Sequence, residues 1–131
     1  MKLIEELADA FLFNSMETRN VLNIKTGEIL LDAPEALTGE PEIDWESDEA
    51  ENFIIIPEIT SSEAYDIRVL FSEEQNAESG AILLEALNIR KPFRNFKFQL
   101  AQLDLEEEWY GYEYQYALNR MAEWLDKWKD Y

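Results

Sequence analysis

The sequence predicts an α+β fold, in which a small antiparallel β-sheet (a hairpin plus one strand) is packed by four or five helices. Two short apolar runs flank a turn that contains glycine, a third apolar run ends at a proline, and most other apolar residues recur at helical spacing. The chain has 131 residues and 47% hydrophobic content. We therefore expect a single domain over residues 1–131, since two domains of ordinary size would not fit.

The first half of the chain supplies one helix and the sheet. Residues 2–13 predict a helix, because their apolar residues form one stripe and their acids fall opposite it. Residues 20–24 and 28–31 predict the strands of the hairpin, with Gly27 providing the positive φ of the turn. Residues 53–57 predict a short third strand that ends at its proline.

The second half is predicted to be helical. Thr60 and Glu63 fit a capping box at the start of a helix. Its inner face is predicted to carry Ala64, Ile67, Leu70 and Phe71. A second helix is predicted over residues 77–88, although Gly80 costs about 1 kcal/mol there relative to alanine. A third helix is predicted to begin at Pro92. Behind it, Phe93, Phe96, Leu100 and Leu103 recur at helical spacing.

The last predicted helix, residues 105–129, carries two apolar sides. One side runs its whole length and consists of Tyr110, Tyr114, Ala117, Leu118, Met121, Leu125 and Trp128. The other occupies the first half alone and consists of Leu105, Trp109, Tyr112 and Tyr116. We therefore expect the first half to be buried on two sides, the second half on one, and Phe96 and Trp109 to be buried against each other's helices.

Residues 32–51 contain nine acids and no base, and charges of one sign at this density repel each other. We predict a mobile, extended loop there. Trp45 has two interpretations: it anchors the loop to the core, or it waits for a partner as an aromatic contact. The candidate interaction residues of this loop are Trp45, Asp44, Glu46, Asp48 and Glu49.

A basic cluster follows the second predicted helix, with no acid between its members. It consists of Arg90, Lys91, Arg94 and Lys97. On a helical wheel Phe98 projects among these bases, so it is a further candidate interaction residue. One interpretation is a solvated face that partly neutralises the acidic loop. The other is a docking patch for an acidic partner with Phe98 as its apolar anchor.

The charge balance limits the functions that remain. Eleven bases against 29 acids give a formal net charge of -18, which argues against direct nucleic-acid binding and against attachment to anionic membranes. The sequence lacks both cysteine, a common catalytic nucleophile, and histidine, the most common general base. Both are also common metal ligands. We therefore expect no cofactor, no metal site and no catalytic residue. The acids near the start and the short apolar runs predict a cytoplasmic protein without a membrane span.

Two acidic patterns partly resemble a calcium-binding loop and a glycosidase site, but each lacks features that the site requires. Asp44, Glu46 and Asp48 match the first positions of a calcium-binding loop, but the glycine and final glutamate of that template are missing. Glu106, Glu107 and Glu108 precede aromatic residues, as in glycosidases, but consecutive helical positions point in different directions. Acids are also expected at the start of a helix because of its dipole.

Several runs occur in an order that resembles a known family. They are Asn23-Ile24-Lys25-Thr26-Gly27-Glu28-Ile29, Phe53-Ile54-Ile55-Ile56-Pro57, Pro92-Phe93-Arg94-Asn95-Phe96-Lys97, Glu108-Trp109-Tyr110 and Glu123-Trp124-Leu125. Over nearly its full length the chain resembles the bacterial uncharacterised protein family number zero-one-five-eight. It departs from the family at Phe98, where a polar residue is usual, and just before Phe93, where the family usually has Gly-x-Gly-Ala. The resemblance implies a fold and a bacterial cytosolic setting, and it brings no activity.

These observations predict a non-enzymatic, acidic protein-interaction module whose partner is a protein with a basic surface. One alternative is a polyanion mimic that blocks a nucleic-acid-binding protein as an inhibitor or immunity factor. Another is a hydrolase that uses aspartate and glutamate alone, which would need a carboxylate pair about 5–9 Å apart in a deep pocket.

Overall fold

The computed structural model describes residues 2–12, 19–32 and 43–129. In chain order its elements are α1 (Lys2–Leu12), β1 (Arg19–Asn23), β2 (Ile29–Asp32), a 3-10 helix (Asp48–Asn52), β3 (Phe53–Ile55), α2 (Ser61–Glu73), α3 (Ala77–Leu87), α4 (Pro92–Gln102) and α5 (Glu106–Lys129). The predicted α+β class is confirmed, including the long C-terminal helix. The residues group into two compact units: a sheet unit (1–59 and 117–131) and a helical unit (60–116).

The sheet is antiparallel with β1 at its centre, in the order β2-β1-β3. Val21 pairs with Leu30 on one side and Ile55 on the other, so these residues share one face. The hairpin prediction is confirmed, because Gly27 has a φ of 79° and its amide donates to the Asn23 carbonyl at 2.8 Å. The side chain of Asn23 also accepts amide hydrogen bonds from the turn, which favours this connection over other loop conformations.

The core of the sheet unit is built by α1, β1, the segment after β3 and the second half of α5. Its buried apolar residues are Leu7, Ala8, Ala10, Phe11, Val21, Leu22, Ile56, Ile59, Ala117 and Met121. A backbone hydrogen bond of 2.9 Å from Ile59 to the Phe11 carbonyl ties the end of α1 to the chain beyond β3.

The acidic loop differs from its prediction where it is described. Residues 33–42 lie outside the described residues, but the chain from residue 43 makes a turn and the 3-10 helix, so the expectation of an extended conformation is wrong there. Local hydrogen bonds compensate the charge repulsion: the Asp44 side chain accepts from the Glu46 amide at 3.0 Å. The mobility of the loop stays a prediction.

In the helical unit, α2 begins as the capping pattern predicts. The Thr60 hydroxyl accepts a hydrogen bond from the Glu63 amide at 3.0 Å. The Glu63 carboxylate in turn accepts a hydrogen bond from the Tyr116 hydroxyl, which links the start of α2 to α5. Asn76 caps α3 in the same manner, through its side chain and the Ser79 amide.

An aromatic cluster fills the core of the helical unit. Phe96 and Trp109 are 1% and 3% exposed, and their ring centroids lie 5.2 Å apart in an edge-to-face arrangement, which confirms the predicted pairing of α4 and α5. Phe71 of α2 contacts both rings, with its centroid 5.3 Å from that of Trp109. Tyr112 lies beside the same cluster.

Gly80 has a structural role that its helix propensity does not indicate. A Cβ atom at this position would lie 2.7 Å from the backbone carbonyl oxygen of Ser72, which is closer than real Cβ contacts allow. Ser72 is itself fully buried. Glycine is therefore favoured in α3 because it permits α2 and α3 to approach closely.

Two predictions of burial are wrong. The helical spacing predicts Leu70 on the inner face of α2 and Tyr110 on an apolar side of α5, but the two residues are 50% and 51% exposed. A spacing of three or four residues identifies a face, whereas burial also needs a neighbouring element along the whole of that face. The other side of α5 is as predicted, with Trp109 buried and Tyr112 and Tyr116 half-buried.

Candidate functional site

Trp45 is fixed at the surface of the sheet unit. Its indole N–H donates a hydrogen bond of 3.1 Å to the Asp32 carboxylate, and its ring meets Phe53 edge to face at 6.2 Å. The Arg19 guanidinium lies 5.8 Å from the centroid of the Trp45 ring and pairs with Asp32 at 2.8 Å. Trp45 nevertheless stays 37% exposed, so it is held in place without being absorbed into the core.

Asp32 is the buried acid that organises this arrangement. Burial alone would raise the pKa of its carboxyl, but hydrogen bonds from Trp45, Arg19 and the Ile43 amide, together with the Arg19 charge, hold that pKa below its usual value. Asp32 counted as one of nine repelling acids in the sequence. The structure shows that it is instead paired across the hairpin with Arg19, its β1 partner in register.

Three further acids of the loop face solvent. Asp44, Glu46 and Asp48 are exposed. Within the described ranges of the chain, no group of three or more aspartates or glutamates is placed to hold a metal ion. The exposed Trp45 and these carboxylates together form what we call the acidic face.

The basic cluster is exposed along the start of α4. Lys91 precedes Pro92 with a φ of 52°, a left-handed conformation that glycine adopts without strain and that lysine rarely adopts. The Asn95 side chain closes the turn by donating to the Arg90 carbonyl at 2.6 Å. All four bases of the cluster are exposed.

Phe98 is 58% exposed and shares a shallow depression of about 370 Å³ with Lys91, Arg94 and Asn95. The structure therefore brings Phe98 together with two of the four predicted bases, while Arg90 does not line this depression. Docking of an acidic partner on this surface stays a prediction.

A second, deeper groove of about 420 Å³ opens within the helical unit, and we call it the Arg68 groove. Its lining comes from α2, α4 and α5 and consists of Arg68, Phe93, Arg94, Phe96, Lys97, Leu100, Glu106, Trp109, Tyr110 and Glu113. Buried Phe96, Leu100 and Trp109 supply apolar lining, and exposed Arg94 and Lys97 supply positive charge. A volume of this size is at the lower end of the range of small-molecule sites.

The Arg68 guanidinium is held by aromatic faces. Its central carbon lies 4.4 Å from the centroid of Phe93, 5.0 Å from that of Trp109 and 5.8 Å from that of Phe96. One terminal nitrogen donates to the Ala64 carbonyl at 2.8 Å. The Nε atom is buried and has no hydrogen-bond acceptor among the residues that the structure describes.

Arg68 and Glu113 influence each other electrostatically. Burial lowers the pKa of the Arg68 guanidinium, and the charge of Glu113 acts in the opposite direction. Burial likewise raises the pKa of the Glu113 carboxyl, and the Arg68 charge offsets part of that rise. The charge of Glu113 thus partly compensates an arginine whose donors are not all satisfied.

Sequence reasoning did not single out Arg68 or Glu113. Both are charged residues within helices, a pattern that favours a solvated position. Their partial burial depends on how α2, α4 and α5 pack, which local spacing does not reveal. The signal that the sequence did contain was aromatic: Phe93, Phe96 and Trp109, which now surround Arg68.

The groove also bears on acid-only hydrolysis, because Glu106 and Glu113 both line it. They are separated by two turns of α5, which corresponds to a rise of about 10.5 Å along the axis. This rise separates the two Cα atoms along the axis and is not the distance between the carboxyl groups, which is about 5–9.5 Å in glycosidase pairs. Acid-only hydrolysis by this pair therefore stays a prediction.

No helix in the described part of the chain is both long and apolar enough to cross a membrane. No solved structure matches the protein. A protein named UPF0158 protein PA5073, from Pseudomonas aeruginosa, is 30% identical over 128 residues, an alignment that covers 95% of this chain and 78% of that protein. The model of the Uncharacterised protein family (UPF0158) matches residues 1–130, and the chain therefore belongs to that family.

Proposed function

We propose that this protein is a non-enzymatic interaction module of the bacterial cytoplasm whose acidic face binds a protein with a basic surface. The observation that carries the proposal is the state of Trp45. Its indole is fixed by Asp32 and Phe53, yet more than a third of the residue stays exposed. An aromatic side chain that is ordered before binding loses little conformational entropy when a partner covers it.

The charges beside Trp45 indicate the chemistry of the partner. Asp44, Glu46 and Asp48 are exposed on the same short segment. A lysine or arginine of the partner can pair with these carboxylates and lie over the indole ring. Arg19 already makes such a contact with Trp45 from within the protein. The net charge of -18 would add long-range attraction and speed the encounter.

The first test measures binding of a fluorescently labelled arginine-rich dodecapeptide as a defined basic probe. The quadruple variant D44N/E46Q/D48N/E49Q should associate about three- to tenfold more slowly than the parent protein at low salt. The matched control D9N/D66N/E73Q/E85Q also removes four negative charges, all from exposed acids outside the acidic face. If both variants lose association rate equally, net charge alone attracts the probe and the acidic face is not a site.

Stability of the same quadruple variant supplies an independent readout. If the acidic face is reserved for a partner, removing its mutual repulsion should leave the melting temperature equal or slightly higher. A clear loss of stability would mean that these carboxylates are used within the molecule, and would overturn the proposal.

Salt dependence tests the electrostatic basis. Exposed charges are screened beyond about 8 Å at physiological ionic strength, so the probe's affinity should fall steeply as salt is added. Trp45→Ala should weaken binding at every salt concentration by raising the dissociation rate, since the apolar part of the contact is not screened. Equal binding by Trp45→Ala would contradict the role given to Trp45.

Identification of the natural partner distinguishes the polyanion-mimic alternative. A mimic competes with nucleic acid for one surface of its target, so identification of the natural partner by ion-exchange pull-down and mass spectrometry should yield a nucleic-acid-binding protein. Displacement of that partner by a DNA duplex would favour the mimic. A partner that keeps its nucleic acid while bound would favour the general interaction module.

A further inference from the structure

We propose that the Arg68 groove is a binding site for a small organic anion that carries a flat aromatic ring, such as an aromatic carboxylate. This site is separate from the acidic face, because every residue that lines it belongs to the helical unit. The inference therefore does not depend on the proposed function, and either can fail without the other.

The ligand is expected to be negatively charged because a positively charged side chain, Arg68, already lies against the aromatic residues of the groove. Aromatic walls attract cations, but here the Phe93, Trp109 and Phe96 rings surround the protein's own cation, Arg68. A second cation would be repelled by Arg68 and by exposed Arg94 and Lys97. Three bases against Glu106 and Glu113 give the lining one excess positive charge, in a protein whose net charge is -18.

The shape of the ligand follows from the lining. Buried Phe96, Leu100 and Trp109 offer apolar surface, while Phe93 and Tyr110 leave ring surface exposed at 37% and 51%. A flat aromatic ring can stack on or meet edge-on such side chains, which adds to its burial energy. A carboxylate on that ring would then lie near arginine and lysine, whose hydrogen bonds to carboxylates are charge-assisted.

The size and the charge of the protein favour a small molecule over an acidic protein. The groove volume of about 420 Å³ suits a ligand of one or two fused rings. A polyanionic partner would meet repulsion from the remaining acidic surface, whereas a single negative charge meets far less. The single excess positive charge of the lining is therefore best matched by a monoanion.

The experiment titrates 2-naphthoate into the full-length protein by isothermal titration calorimetry, with 2-naphthamide as the neutral compound of nearly equal shape. We expect saturable one-to-one binding of 2-naphthoate with a Kd at or below about 1 mM. The amide should bind at least about tenfold more weakly, because it lacks the charge. Equal affinities would overturn the anion assignment, and no binding of either compound would overturn the site.

Variants locate the site on the protein. The double variant R94Q/K97Q removes two exposed charges from the groove and should weaken 2-naphthoate binding about tenfold. Arg90→Gln is the matched control, since Arg90 belongs to the same basic cluster but does not line the groove. Phe98→Ala tests the neighbouring depression, and both controls should bind as the parent does. Loss of binding in a control would move the ligand out of the Arg68 groove.

Arg68 itself is tested by replacement with lysine, which keeps the charge. Arg68→Lys should fold and should bind 2-naphthoate more weakly, because lysine lacks the planar guanidinium. Trp109 signals in a two-dimensional NMR spectrum should shift when 2-naphthoate binds the parent protein. A short peptide with one tyrosine among several glutamates serves as the competing probe. If it binds the groove while 2-naphthoate does not, the site is a peptide-docking surface and the proposal is wrong.

Discussion

Asp32 in the sheet unit and Arg68 in the helical unit are charged residues that are at least partly withdrawn from solvent, and their surroundings differ. In the sheet unit Asp32 accepts hydrogen bonds from three donors, Arg19, Trp45 and the Ile43 amide. In the helical unit Arg68 is held mainly by ring faces and keeps a buried Nε without an acceptor. A satisfied charge stabilises a structure, whereas an incompletely satisfied charge beside a groove retains capacity for a ligand.

The largest loss of stability is expected when a ring beside Arg68 is removed. Phe96→Ala should destabilise the protein by about 3–5 kcal/mol, because it removes a buried ring in contact with Phe71 and Trp109. Phe98→Ala, two residues along the same helix, is the control and should change stability by less than about 0.5 kcal/mol. Urea unfolding measures both. A loss below about 1 kcal/mol for Phe96→Ala would show that the packing of α4 is described wrongly.

The second prediction tests whether the hydrogen bonds to the Asp32 carboxylate stabilise the fold. Asp32→Asn should destabilise by about 2–3 kcal/mol at neutral pH, because the buried carboxylate accepts several hydrogen bonds. Its folded-state pKa lies below the ordinary 3.8, so the ionised form stabilises the fold above that value, and the benefit is lost as pH falls through the lowered pKa.

The stability difference between the two proteins should therefore be fully present well above the ordinary value of 3.8 and should shrink as the pH falls through the lowered pKa of Asp32. Urea unfolding across this range measures the difference, and exposed Asp48→Asn is the control that should behave as the parent. A difference between Asp32→Asn and the parent that does not depend on pH would show that the charge of Asp32 contributes nothing.

The third effect tests close packing in the helical unit. Gly80→Ala gains about 1 kcal/mol of helix propensity but places a methyl group 2.7 Å from the Ser72 carbonyl oxygen, so a net loss of about 1–2 kcal/mol is expected. Gly111→Ala is the matched control, since nothing lies within 4 Å of its Cβ position. It should gain up to about 1 kcal/mol in thermal unfolding. Equal signs for the two variants would contradict the approach of α2 to α3.

The sequence was sufficient where the physics is local. The capped start of α2, the hairpin turn at Gly27 and the pairing of Phe96 with Trp109 all follow from patterns within a few residues or from helical spacing. It was insufficient where a residue depends on a distant partner. Asp32 is neutralised by Arg19 across the hairpin, and Arg68 is enclosed by rings from α4 and α5.

Family membership does not close this gap. A match over residues 1–130 to an uncharacterised family brings no activity with it, so the chemistry has to be derived from the site. Neither the acidic face nor the Arg68 groove follows from helix and strand boundaries. Both depend on side chains whose exposure only the packed structure specifies.

The smallest expected effect is that of metal removal on the melting temperature. It tests whether the exposed acids of the acidic face, unlike the paired Asp32, hold a metal ion. Asp32 is fully engaged by donors, and the Asp44 side chain accepts the Glu46 amide in a local turn. Asp48 follows at the start of the 3-10 helix, so the spacing that resembled a calcium loop lacks the remaining ligands of that motif. A structural metal would contribute folding energy directly, and its removal would lower the melting temperature.

We expect EDTA, and equally added Ca²⁺, to leave the melting temperature unchanged in differential scanning fluorimetry, with the D44N/E46Q/D48N/E49Q variant as the comparison. A drop of several degrees with EDTA in the parent but not in the variant would assign a metal to the acidic face and would replace the protein partner proposed for it.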